Sequence, residues 1–349
     1  MTDPLTTLLA DRPVVFADGA MGTSLFALGL TTGDSPELWN LERPEAVASV
    51  HRGFVEAGSD IVLTNTFGAN ARRLRLHGLE ARVAELARAG AGVARGVADA
   101  AGRPVLVAGS MGPTGDLLAP LGPLTADEAE AAFAEQAVAL AEGGVDLLWI
   151  ETISAAEEMR AAVAGAARTG LPIVATFSFD TNGRTMMGLT PADAMALAGT
   201  LAARPLGLGA NCGIGPPQLL DTVLGLAGAA PDGVAVVAKG NCGIPEYRHG
   251  HLHYSGSPEV MADYACLARD AGARIIGGCC GTTAEHVRAM VEAVAARPPG
   301  PVPDRATVEA RLGPVAAPAP GAADAAPEDG EGGRRRRSRR RAEGDAPAL

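Results

Sequence analysis

Residues 275–282 read IIGGCCGT, so two of the chain's five cysteines stand side by side behind a pair of glycines. Adjacent cysteines are poorly placed to bond to each other, because the preferred disulfide torsions strain the small ring that would close. They are better placed to share one ion, since Gly277, Gly278 and Gly281 let the backbone fold until both sulfurs face the same point. A third thiol, Cys212, ends another apolar run, LGLGANC. Three thiolates with a fourth position left open describe a catalytic zinc site, with Zn–S bonds of about 2.3 Å. The plainer reading is a set of buried thiols, since no CxxC pair accompanies them. Zinc surrounded by sulfur is a poor Lewis acid toward water, yet it lowers the pKa of an added thiol and leaves that sulfur nucleophilic. Such chemistry suits alkyl transfer to sulfur rather than hydrolysis. Cys242 follows a further apolar run; as a ligand it would close the open position, so it reads as packing beside the metal or as a redox-sensitive thiol. Cys266, in DYACLARDA, reads as a packed small hydrophobe on a helix.

The elements that would position these thiols recur along the chain. Eight short, nearly continuous apolar runs are VVFADG (14–19), IVLTNTF (61–67), VLVAGS (105–110), LLWIET (147–152), IVATFSF (173–179), LGLGANC (206–212), VAVVAKGN (234–241) and IIGGCC (275–280). Runs of this kind suit strands buried on both faces of a parallel sheet. Between them lie Ala-rich stretches with helical spacing. One is 126–144, opened by Thr125 with Glu128 three residues on; another is 258–273. Eight strand–helix units predict an α/β fold, a (β/α)8 TIM barrel over residues 1–298. An open doubly wound sheet is the alternative, but no GxGxxG follows the first strand. In a barrel the C-terminal strand ends form the active-site face. Asp18, Thr64, Asn65, Thr66, Ser110, Glu151, Thr152, Asn211, Asn241 and the cysteines would converge there.

Composition bounds the rest. Of 349 residues, 47% are hydrophobic and only 3% aromatic, so a large core must be built mainly from Ala, Val, Leu and Ile. A formal charge of -11 argues against nucleic acid as a partner. The N-terminal residues show no signal peptide, and no run reaches the roughly 18 apolar residues of a membrane span. The expectation is a cytoplasmic protein with no membrane contact. Residues 299–349 are rich in Pro, Ala, Gly and acid and end in RRRRSRRR (334–341), which predicts a disordered tail able to meet an acidic partner.

Six motifs in order, DGAMGT (18–23), NTFGAN (65–70), GPTGD (112–116), ET (151–152), GANCGIGP (209–216) and GGCCGTTAEH (277–286), resemble the homocysteine S-methyltransferase family over roughly residues 14–296. The resemblance implies a (β/α)8 barrel whose zinc is held by Cys212, Cys279 and Cys280. Homocysteine thiolate would become the fourth ligand and take a methyl group to give methionine. It further implies Asp18 and Glu151 near the substrate ammonium, and Gly19, Ala20 and Thr23 around its carboxylate. Asn65 and Asn211 are expected to tie strand ends together. Asn241 would offer an oxygen to the ion when substrate is absent. Asn241-Cys242-Gly243 departs from the Asn-Ala-Gly usual at that strand end, which puts the ligand set in question. Donors in the family include betaine, S-methylmethionine and methylcobalamin on another module. Betaine favours an aromatic cage, and Trp39, Phe67, Tyr247 and Tyr254 are the aromatics available. The expectation leans to methylcobalamin on a separate protein, with betaine as the alternative. A non-catalytic zinc- and homocysteine-binding subunit is a more distant one. A Schiff-base enzyme would have to use Lys239, the only lysine in the chain.

Overall fold

The computed structural model describes residues 3–315 except 181, 244, 249 and 250, with side chains described outside 244–253. Each of the eight apolar runs overlaps a strand: β1 (Val15–Phe16), β2 (Ile61–Leu63), β3 (Leu106–Met111), β4 (Leu147–Ile153), β5 (Ile173–Phe177), β6 (Gly207–Cys212), β7 (Ala235–Gly240) and, after a hairpin, β10 (Ala273–Gly278). They form one parallel sheet in the order β1-β10-β7-β6-β5-β4-β3-β2. Its two edges meet through a parallel bridge, Ala17 to Ile61, with Asp60 N–H donating to Phe16 O at 2.7 Å. The sheet therefore closes into the expected barrel.

Strand periodicity divides the residues between two cores. Val15, Ala17, Ile61, Leu63, Ala108, Leu147, Trp149, Val174, Val237 and Ile275 point inward and fill the barrel, and Leu5 of the N-terminal helix Pro4–Asp11 joins them. Their neighbours in sequence, such as Val62, Val107, Leu148, Ala175, Leu208, Val236 and Ile276, pack outward against the surrounding helices. The same parity carries one step further toward the C-terminal ends. There the inward positions become Ser110, Glu151, Thr176, Asn211 and Lys239, a polar layer standing on an apolar one.

The helix Ala126–Glu142 begins at Thr125, whose hydroxyl accepts from Glu128 N–H while the Glu128 carboxylate accepts from Thr125 N–H. Cys266 lies in the helix Pro258–Asp270, packed against Ala262 and Ala293. Two features went beyond the sequence reading. An antiparallel hairpin, β8 (Pro245–Arg248) and β9 (His251–Tyr254), follows β7. The stretch after 298, expected as part of an unstructured tail, continues in described residues through 315. It carries the helix Arg305–Leu312, whose N-cap Asp304 accepts from Thr307 N–H. Val308 of that helix is buried, and Arg311 pairs with Asp263. One buried apolar side chain among prolines and alanines leaves too short a pattern to read as a helix. Residues 316–349, including the Arg run at 334–341, lie outside the described residues. Among the described residues no helix is long and apolar enough to cross a membrane.

Candidate metal centre

Cys212 ends β6, and Cys279 and Cys280 directly follow β10. Their three sulfurs lie within 4.8 Å of one another, and Cys212 Sγ is 4.0 Å from Cys280 Sγ. In a tetrahedral site with bonds of about 2.3 Å, two sulfurs stand about 3.8 Å apart, so the donor set fits zinc in number, type and spacing. Burial and mutual proximity act on the thiols. Cys279 favours ionisation of Cys212, but Cys280 and burial outweigh it and push Cys212 up to about 12. Cys212 favours ionisation of Cys280, but Cys279 and burial push that thiol up to about 12. Cys279 is pushed up by Cys212 and by burial. Crowded thiols resist losing successive protons, and a divalent cation among them reverses that balance.

The backbone is bent to present these sulfurs. Cys212 has φ 64° and Thr152 has φ 63°, left-handed conformations that cost L residues roughly 1–2 kcal/mol and persist only where the surroundings impose them. Asn211 holds Thr152 from both ends of its amide. Its Oδ1 accepts from Thr152 N–H at 2.8 Å and from Thr176 Oγ1 at 2.7 Å. Its Nδ2 donates to Thr152 Oγ1 at 2.7 Å and to Cys279 Sγ at 3.7 Å. On the other side, Cys279 N–H donates to Gly240 O at 2.7 Å. Asn241 bridges the two cysteine loops: its Oδ1 accepts from Cys280 N–H at 2.9 Å, and its Nδ2 donates to Gly213 O at 2.7 Å. Gly281 has φ 79°, and a Cβ there would stand 2.3 Å from the Tyr254 ring.

A cavity of about 450 Å³ opens over the cluster. The three cysteines line it, as do the expected Asp18, Gly19, Ala20, Thr23 and Glu151. Asn241 does not line it; its oxygen faces the Cys280 amide. Ala20 N–H is taken by Thr282 O at 2.9 Å, and Thr23 Oγ1 accepts from Gly281 N–H at 3.3 Å. Thr23 thus ties the first loop to the cysteine loop. The two carboxylates differ. Glu151 accepts from Ser110 Oγ, and burial pushes its carboxyl up while Lys239 opposes that shift. Asp18 accepts from Lys239 Nζ at 2.8 Å and from Leu63 N–H at 2.7 Å. Burial disfavours the charge on Lys239, yet Asp18 and Glu151 outweigh it and raise its pKa. It is an ammonium, not the free amine a Schiff base needs. Its partnership with Asp18 was missed in the sequence; strand parity, which places Lys239 two residues beyond inward Val237, was the signal.

Cys242 stands apart from the three. It is fully buried, its Sγ–H donates to Gly256 O at 2.8 Å, and its sulfur is 3.2 Å from His286 Nε2. His286 Nδ1 accepts from Thr283 N–H at 3.1 Å, so Nε2 carries the proton and cannot serve as a base for the thiol. Burial pushes Cys242 up to about 11. A larger cavity of about 920 Å³ adjoins this region. It shares Thr23, Phe26 and Tyr254 with the first but none of the three clustered cysteines.

Of the aromatics, Tyr254, Phe67 and the unanticipated Phe26 line the cysteine cavity. Trp39 is buried with Leu25, Leu30 and Val47. The Tyr247 side chain lies outside the described residues. The Arg73 guanidinium sits 5.9 Å from the Phe67 ring centre.

Comparison with known proteins places this geometry. Residues 15–294 match the family described as homocysteine S-methyltransferase. Methionine synthase of Mycobacterium tuberculosis is 34% identical over 310 residues, covering 83% of this chain and 25% of the relative. That of Mycobacterium leprae is 34% identical over 321 residues, covering 86% and 26%. The chain thus spans about a quarter of the length of these curated relatives. Among solved structures, the metallated form of the homocysteine methyltransferase MmuM from Escherichia coli superposes with a TM-score of 0.70 at 27% identity, covering 84% of this chain and 100% of that one.

Proposed function

This chain belongs to the homocysteine S-methyltransferase family, and from that premise we propose that it methylates homocysteine to methionine at a zinc site formed by Cys212, Cys279 and Cys280. The observation that carries the reading is the three sulfurs gathered within 4.8 Å at the mouth of the barrel. When bound there, zinc supplies the charge that keeps an acceptor thiol deprotonated at neutral pH. The remaining work falls to the protein. Asn211 and Asn241 fix the loops that carry the thiols. Glu151, open to the cavity, receives the substrate ammonium through a charge-assisted contact. The barrel walls hold the acceptor sulfur in line with the incoming methyl carbon, so that the S–C bond forms as the donor–carbon bond breaks. No side-chain base is required at the sulfur.

For the donor, we favour methylcobalamin carried by a separate protein. The described aromatics form no cage: Trp39 is packed away, and Arg73 already places a cation by the face of Phe67. The likeness to two methionine synthases supports the same choice. Betaine is the second reading, favoured by Phe26, Phe67 and Tyr254 lining one cavity; S-methylmethionine is a third donor to screen. The test is metal analysis together with methionine formation from each donor. Cys212→Ala, Cys279→Ala or Cys280→Ala should each lose metal and turnover together. Turnover that survives in a metal-free triple variant would refute the reading, and metal binding without turnover on any donor would favour a non-catalytic binding subunit.

A further inference from the structure

The stretch that follows β2 carries Arg72, Arg73 and Arg75. Arg72 pairs with Asp116 and Glu128, and Arg75 pairs with Asp116. Of the three, only Arg73 lines the cysteine cavity, and it alone has no carboxylate partner among the described residues. Its guanidinium stands 5.9 Å from the Phe67 ring centre instead. The acids around it are already engaged. Glu37 lines the same cavity, but its oxygens accept from Gly68 N–H at 2.7 Å and from Ser35 Oγ at 2.6 Å. Glu158 feels the charge of Arg73, yet it accepts from Thr114 N–H at 2.8 Å and from Thr114 Oγ1 at 2.6 Å. The arginine itself is held in place. Asn70 Oδ1 accepts from Arg73 N–H at 3.0 Å, and the arm lies against Gly115, where a Cβ would stand 3.2 Å from Arg73 Cδ. A half-buried guanidinium without a counterion offers a rigid fork of donors that matches the paired oxygens of a carboxylate or phosphate.

Its height in the cavity says which substrate it meets. Glu151 and the clustered cysteines lie on strands or directly after them, whereas Arg73 is ten residues past the end of β2 and three before Leu76, which is 74% exposed. Arg73 therefore stands at the outer edge, and a molecule approaching a thiolate on the floor passes it. We propose that Arg73 is an oxyanion anchor for the methyl donor, taking a carboxylate or phosphate that the donor carries and so setting which donors are admitted. Two sources offer that group: the carboxylate of a small zwitterionic donor such as betaine or S-methylmethionine, and the nucleotide phosphate of methylcobalamin. The inference rests on the methyl-transfer reading above. The contact lies away from the migrating methyl group, so it belongs to donor binding and not to the chemical step.

Steady-state kinetics on the full-length, metal-loaded protein test it by pairing each donor with an analogue that lacks the anion: betaine with betaine amide, S-methylmethionine with its carboxamide, and methylcobalamin with methylcobinamide. The proteins compared are the unmodified chain, Arg73→Met, which keeps the arm against Gly115, and Arg73→Lys, which keeps the charge. On the donor that turns over, Arg73→Met should raise the donor KM about tenfold or more. It should leave kcat and the homocysteine KM within about twofold and leave the anion-free analogue unaffected, and Arg73→Lys should recover part of the loss. The pair that shows the difference identifies the source of the oxyanion. An unchanged donor KM, a loss that falls on homocysteine, or an equal loss with anionic and anion-free donors overturns the proposal. Calorimetry gives a readout without turnover. Inorganic phosphate titrated into the homocysteine-saturated protein should bind Arg73→Met about tenfold more weakly than the unmodified chain; equal binding to both, or binding to neither, overturns the proposal. If no donor turns over while the phosphate difference is present, the methyl-transfer reading fails and the anion site at Arg73 stands.

Discussion

Asn241 does not line the cavity, yet it holds the amide of Cys280 and the carbonyl of Gly213 at once. Removing its side chain takes the partner from both groups and frees the two loops that carry Cys212 and Cys280. Asn241→Ala should therefore weaken metal binding by about 10–100-fold, as loss of an outer partner commonly does. Cys242→Ala should leave it unchanged, because that sulfur contacts Gly256 and His286 instead. Competition with a chromophoric chelator measures both, and equal weakening by the two would show that Cys242 belongs to the ligand set. The cysteines could be read from sequence because few side chains offer sulfur and their chemistry is narrow. Asp18 could be read as an anion at a strand end, but its partner lies 221 residues away. Which of two carboxylates faces substrate depends on such distant pairings, and spacing along the chain does not encode them.

Strands were the most legible elements. A parallel barrel strand is apolar on both faces, so each run announces itself, and the cap at Thr125 was equally plain. Loops were harder, because their shape answers to the neighbours they meet. The hairpin β8–β9 carries no strong alternation, yet it delivers Tyr254 to the cavity wall. Glycine within β6 has a role visible only in three dimensions. A Cβ on Gly209 would stand 2.0 Å from Val237 O of the adjoining strand, so β6 and β7 pair in this register only without one. Gly209→Ala should cost about 3 kcal/mol or more through overpacking and displace Cys212 three residues on. Denaturant unfolding checks the first effect and metal content the second; an alanine variant of unaltered stability would count against this account of the strand pairing.

At the scale of the molecule, eight strands closing on themselves bring Asp18 and Cys280, 262 positions apart, to one mouth. The architecture was legible because repetition is easy to count. The helix Arg305–Leu312 was not, since it is held by buried Val308, half-buried Leu312 and a few charges against the barrel's outer helices. The solitary lysine has a practical consequence. Amine-reactive labels find no accessible side-chain amine in the native barrel, and an endoproteinase that cuts only after lysine has a single bond to attack, inside β7. That bond becomes available only when the sheet itself comes apart. Digestion should therefore yield two fragments at a rate that follows global unfolding in denaturant rather than local fraying, which gel analysis would show; rapid nicking of the native protein would mean that β7 opens by itself. The chain thus carries its own built-in gauge of how often the whole barrel breathes.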